Sequence, residues 1–210
     1  MKLLRFRENN KVKPGILDNE NKIRDVSSLI EDWEGIFLNQ ETLKKFINHN
    51  LNDLPLIKND ISIAPCVGKV GKFICVGLNY IDHVLETKMK KPTEPILFMK
   101  ATSSICGAYD NIILPKNSIK LDWEVELGVI IGKEAKYINE DQSQDHIFGY
   151  CIVNDVSERK FQLEHSGQWV KGKSCDTFGP IGPYIKTRDE VLDPQNLRLS
   201  LDLNGKKMQD

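Results

Sequence analysis

The chain has 210 residues, 40% of them hydrophobic, and its 29 Lys and Arg nearly balance 30 Asp and Glu for a net charge of -1. That is a globular composition, with no basic excess to attract nucleic acid or an anionic membrane. No apolar run reaches the roughly 18 residues of a membrane helix. Met1-Lys2-Leu3-Leu4-Arg5-Phe6-Arg7 is charged too early for a secretory signal, so a cytoplasmic protein is expected.

In chain order, Leu3–Phe6 and Lys13–Asp18 read as short strands, with Asn9-Asn10 supplying turn chemistry between them. Leu43, Phe46 and Ile47 give Glu41–His49 helical spacing. This region holds no convergent set of catalytic residue types, so residues 1–65 are expected to form a small, mainly structural α/β domain. Ser62–Gly71 is a connector, punctuated by Pro65 and Gly68. From Lys72 the texture changes. Strand candidates are Phe73–Gly77, Pro95–Met99, Asn111–Leu114, Trp123–Ile131, Phe148–Val153 and Leu197–Leu203. Long helical patterns are few, which predicts an α+β, β-rich fold with the catalytic domain over residues 66–210. The five cysteines are widely spaced and form no CxxC pair, so reduced thiols are expected rather than a zinc knuckle or a disulfide scaffold.

The strongest chemical signal is Asp122-Trp123-Glu124-Val125-Glu126-Leu127. In a strand Glu124 and Glu126 share a face, roughly 7 Å apart. Such carboxylates repel, and a cation between them would remove the conflict; a solvated edge strand is the other reading. Asp155, at the end of an apolar strand, is a third acid. Three carboxylates without nearby Cys or His make an all-oxygen site suited to Mg²⁺, Mn²⁺ or Ca²⁺. His83 and Glu86 are i, i+3 neighbours, as a general base and its orienting carboxylate would be, or a surface pair. Lys173 and Lys100 are candidates for stabilising an oxyanion, or are solvated lysines. Gly172-Lys173-Ser174 imitates the tail of a phosphate-binding loop, but the upstream spacing fails and nucleotide binding is excluded.

Together these pieces resemble the fumarylacetoacetate hydrolase family. Cys75-Val76-Gly77-Leu78-Asn79-Tyr80 with His83 and Glu86 is similar to its lid motif, and Phe98-Met99-Lys100 to its next strand. Asp122–Leu127 resembles the segment of its first two metal ligands, and Asn154–Arg159 that of the third. Gln162 and Lys173–Pro180 follow in the expected order. The resemblance spans Lys72 to Asp210. The N-terminal segment resembles the appendage of a bacterial branch that includes 2,4-diketo-3-deoxy-sugar-acid hydrolases and ureidoglycolate lyases.

The resemblance implies a mixed β-sandwich roll, a homodimer, and Mg²⁺ or Mn²⁺ held by Glu124, Glu126 and Asp155. It implies His83 and Glu86 as the water-activating pair on a lid, with Lys173 as a further catalytic residue. Lys100, Arg159, Gln162 and Lys173 would contact a small keto-acid substrate. The implied reaction is cleavage of a carbon–carbon bond in a 2,4-diketo acid by hydrolase or lyase chemistry. Carbon–nitrogen cleavage, as in ureidoglycolate lyase, and a catalytically inactive metal-binding chain are the competing expectations. Leu78 stands where some acylpyruvate hydrolases of the family carry Arg. The family's closing strands and Thr-Gly-Thr-Pro loop do not occur before Asp210, so the 210-residue chain made alone is expected to be less stable than the full fold, and inactive.

Overall fold

The computed structural model describes residues 1–58, 61–87 and 90–210. The N-terminal hairpin forms where the turn chemistry places it. β1 (Lys2–Glu8) and β2 (Lys11–Leu17) pair antiparallel with Glu8 opposite Lys11. Asn9 and Asn10 bridge them at φ 50° and 61°, the left-handed pair a two-residue hairpin turn needs and asparagine tolerates. β3 (Ile23–Asp25) extends the sheet beside β2. α1 (Gln40–Ile47) starts at Asn39, whose side chain accepts from Thr42 N at 2.8 Å. The helix buries Leu43 and Phe46.

These residues pack on Trp33, which is fully buried, lies 5.6 Å from the Phe46 ring and donates its indole N–H to Gly15 O at 2.8 Å. Replacing Trp33 with Ala leaves a large cavity and removes the indole bond to Gly15 O, so a loss of about 3–5 kcal/mol is expected. Chemical denaturation checks it. A loss below about 1 kcal/mol would show that the neighbouring segments collapse into the gap.

The remaining strands are β4 (Ser62–Ile63), β5 (Phe73–Gly77), β6 (Ile96–Lys100), β7 (Ile105–Gly107), β8 (Leu121–Asp122), β9 (Val125–Ile131), β10 (Ile147–Asn154), β11 (Ser157–Glu158), β12 (Gly179–Thr187), β13 (Leu201–Leu203) and β14 (Lys206–Gln209). Helices α2 (Ile81–Thr87) and α3 (Val170–Lys173) are short. An eight-stranded sheet runs in the order β3-β2-β1-β12-β10-β9, with β4 on β1 and β7 on β12. The N-terminal strands thus continue the same sheet as β10 and β9. One core joins Leu3, Ile16 and Trp33 to Phe148, Cys151 and Ile185. β5 and β6 form a separate antiparallel pair, which turns Phe98 and Lys100 inward and leaves Ile74 and Leu97 exposed. The β-rich α+β expectation therefore holds. Among the described residues no helix is long and apolar enough to cross a membrane. All five cysteines are free thiols.

Three expectations change. Asn111–Leu114 is not a strand; Ile113 N donates to the Thr177 hydroxyl instead of a ladder partner. Leu197–Leu203 shortens to β13. Trp123–Ile131 starts later, at Val125, so Trp123 and Glu124 lie outside β9. Pro183 falls where the β10–β12 register shifts between Tyr150 and Ile152, a bulge in which the missing N–H of proline costs no ladder bond.

Candidate active site

Strand pairing builds the carboxylate cluster. On the β9–β10 ladder Val153 faces Glu126 and Asn154 faces Val125. The ladder is prolonged by Asp155 N donating to Glu124 O at 2.8 Å. Asp155, distant in sequence from Glu124 and Glu126, thus joins them at one end of two adjacent strands. All three line a cavity of about 1510 Å³.

Cations enter this cluster from a second direction. The Glu158 carboxylate, fully buried, accepts from Lys120 N at 2.6 Å and Phe161 N at 2.9 Å. It anchors the π-helical turn Lys160–Glu164 that carries Gln162. α3 lies directly against that turn because residue 172 is glycine; a Cβ there would stand 2.4 Å from Glu158 O and 2.6 Å from Gln162 N. This contact delivers Lys173. Its ammonium donates to Glu124 Oε2 at 2.7 Å and Asp155 Oδ2 at 2.8 Å, and lies 5.2 Å over the Phe98 ring. Phe98 in turn meets Trp169 edge-on at 5.4 Å. Arg159 donates to Glu124, to Asp122 Oδ2 at 2.8 Å and to Gln162 Oε1 at 3.0 Å.

The charge states follow from this packing. Burial pushes the Asp155 carboxyl up, but the Lys100 and Lys173 ammonium groups outweigh it and hold it below the usual carboxylate range. Among the described residues no ammonium or guanidinium is hydrogen-bonded to Glu126. Burial pushes it up to about 7; hydrogen bonding to Tyr80 opposes this, the charges of Glu124 and Asp155 add to it, and the Lys173 charge lowers it only as the weakest of five influences. The cluster is short of positive charge at Glu126. An all-oxygen donor set with that deficit fits a hard divalent cation such as Mg²⁺ or Mn²⁺. Lys173 Nζ stands between Glu124 and Asp155, and among the described residues no three His, Cys, Asp or Glu side chains are placed to hold a metal ion together.

His83, Glu86, Lys173, Arg159 and Gln162 also line the cavity. Lys100 does not. It is fully buried and donates to Asp155 Oδ1 at 2.6 Å and Val156 O at 3.1 Å. Its place is behind Asp155, outside the lining of the cavity. The reading of the sequence also gave no role to the Phe98–Trp169 pair, to Asp122 or to Tyr80. The period of β6 places Phe98 and Lys100 on one face, a signal that was available; the partner of Arg159 at Asp122 has no local signal.

The profile of the fumarylacetoacetate (FAA) hydrolase C-terminal domain matches residues 72–210. The chain belongs to the fumarylacetoacetate hydrolase family. A curated relative from Burkholderia orbicola (strain MC0-3), named as a hydrolase with no stated substrate, is 51% identical over 210 residues, covering 100% of this chain and 74% of the relative. The solved fumarylacetoacetate hydrolase of psychrophilic Exiguobacterium antarcticum superposes with a TM-score of 0.81 at 31% identity, over 100% of this chain and 74% of that one. Maleylpyruvate hydrolase from Sphingobium sp. SYK-6, solved in complex with manganese(II) ion and pyruvate, gives a TM-score of 0.73 at 26% identity, over 92% and 70%. The fold is thus the family's β-rich type, and the family is one of enzymes acting on small molecules.

Proposed function

We propose that this chain holds Mg²⁺ or Mn²⁺ through Glu124, Glu126 and Asp155. On this reading it cleaves a carbon–carbon bond in a small 2,4-diketo acid as a hydrolase or lyase. The observation that carries the reading is the convergence of three carboxylates, two cationic side chains and His83 on one cavity. The manganese and pyruvate bound by the Sphingobium relative support it. A divalent cation supplies polarisation of a keto oxygen and acidification of bound water. The chain's own residues do the rest. Arg159 and Lys173 offer positive charge to a substrate carboxylate and to the oxyanion that develops on cleavage. The Gln162 amide orients Arg159. His83 takes the proton of the attacking water, with Glu86 on the same helix to orient its ring. The reading extends to a cytoplasmic homodimer, whose assembly sedimentation tests.

The direct test is a panel of 2,4-diketo acids assayed with Mn²⁺, following loss of the enol absorbance and release of pyruvate. Isomerisation without release, or turnover of ureidoglycolate instead, would replace this reading. Metal binding is separable from turnover. Asp155→Ala and Glu126→Gln are each expected to weaken Mn²⁺ binding beyond calorimetric detection while circular dichroism keeps its β signature. Wild-type affinity in either variant would remove that residue from the ligand set.

A further inference from the structure

Tyr80 stands between the two halves of the site. Its carbonyl accepts from Val84 N at 3.1 Å and closes the first turn of α2, the helix that carries His83 and Glu86. Its hydroxyl accepts from Leu127 N at 3.3 Å, the backbone group next to Glu126 in β9. One residue therefore starts the helix of the proposed base and touches the strand of the carboxylates.

α2 has need of such a tie. It is seven residues long, and helices of that length are marginal without tertiary contacts. Among its described side chains Val84 alone is buried, while Ile81 and Leu85 are exposed. The approach to the helix runs through Leu78 at φ 51°, a left-handed conformation that a leucine holds only where its surroundings enforce it. Among the described residues β9 is an edge strand, so its outward N–H groups face no further strand there. Val125 N donates to Gln209 Oε1 at 2.8 Å and Leu127 N to Tyr80. A phenol can accept from an N–H and donate to a carboxylate at once; phenylalanine can do neither.

We propose that Tyr80 is a positioning residue: its hydroxyl ties α2 to β9, setting His83 over the carboxylates and steadying Glu126. The catalytic consequence rests on the metal-site reading above; the tie itself does not.

The test is Tyr80→Phe in the full chain, which keeps the ring and removes the hydroxyl. Two changes are expected. Amide hydrogen exchange over residues 81–87 should quicken about tenfold, the scale of one lost hydrogen bond of about 1.4 kcal/mol. Mn²⁺ affinity should fall about three- to tenfold, on the same scale. A purely structural loosening gives only the first, and Val84→Ala serves as that control: faster exchange with wild-type Mn²⁺ affinity. If either change is missing in Tyr80→Phe while the wild-type protein binds Mn²⁺, the proposal is overturned. If the wild-type protein binds no Mn²⁺, the metal reading fails and exchange alone decides the tie, with unchanged protection over 81–87 refuting it.

Discussion

Replacing His83 with Ala is expected to lower kcat by about 10²–10⁴-fold, the usual worth of acid–base catalysis. His83 sits on α2 with Glu86, and both line the cavity that holds Glu124, Glu126 and Asp155. It is the one histidine among the described residues that line this cavity, which makes it the imidazole to test as the base. KM should move far less than kcat, because Arg159, Lys173 and the carboxylate-bound cation would still hold the substrate. His83 is exposed, so its replacement should leave the melting temperature nearly unchanged. Steady-state kinetics with a diketo acid cleaved by the wild-type protein check this. A variant of near-normal kcat would assign water activation to another group.

The largest effect on stability at the site is expected from Lys100→Met. The side chain of Lys100 is fully buried. Burial pushes its ammonium below the usual lysine range, and the Asp155 charge opposes that. Keeping a charged lysine there depends on its bonds to Asp155 and Val156 O. Methionine fills a similar volume but leaves Asp155 with Lys173 as its cation, and Val156 O with a lost donor. Breaking a buried pair from one side costs about 3–5 kcal/mol; Lys173 still compensates, which favours the lower figure. A loss of about 3 kcal/mol lowers the melting temperature by about 6–12 °C in a chain of this size. Calorimetry measures it directly. A change under about 2 °C would mean that Lys173 suffices for Asp155 and that Lys100 contributes no net stability.

Local physics made much of this protein legible from its residues alone. Asn9-Asn10 marked the turn between the first two strands, because asparagine accepts left-handed backbone. Of the apolar positions Leu43, Phe46 and Ile47 that marked α1, the first two form its buried face and Ile47 is exposed. The alternation Trp123–Ile131 marked Glu124 and Glu126 as a pair on one strand face; β9 itself begins at Val125, and Glu124 lies just before it. The joint motifs from Gly77 to Pro180 carried the family resemblance, which the matched profile over residues 72–210 bears out.

Tertiary structure decided the rest. β12 could not be read locally: Pro180 and Pro183 argue against a strand, and only pairing with β7, β1 and a bulged β10 makes one there. The direction of Lys100 depends on which face of β6 meets Asp155, so a residue expected beside substrate lies behind a carboxylate instead. Tyr80 gains its place only because β9 is, among the described residues, an edge strand with an N–H to spare. In each case the deciding partner is distant in sequence, and the energy that selects it is a buried charge or an unpaired backbone group. Local propensity does not register such terms; they exist only once the chain has closed around them.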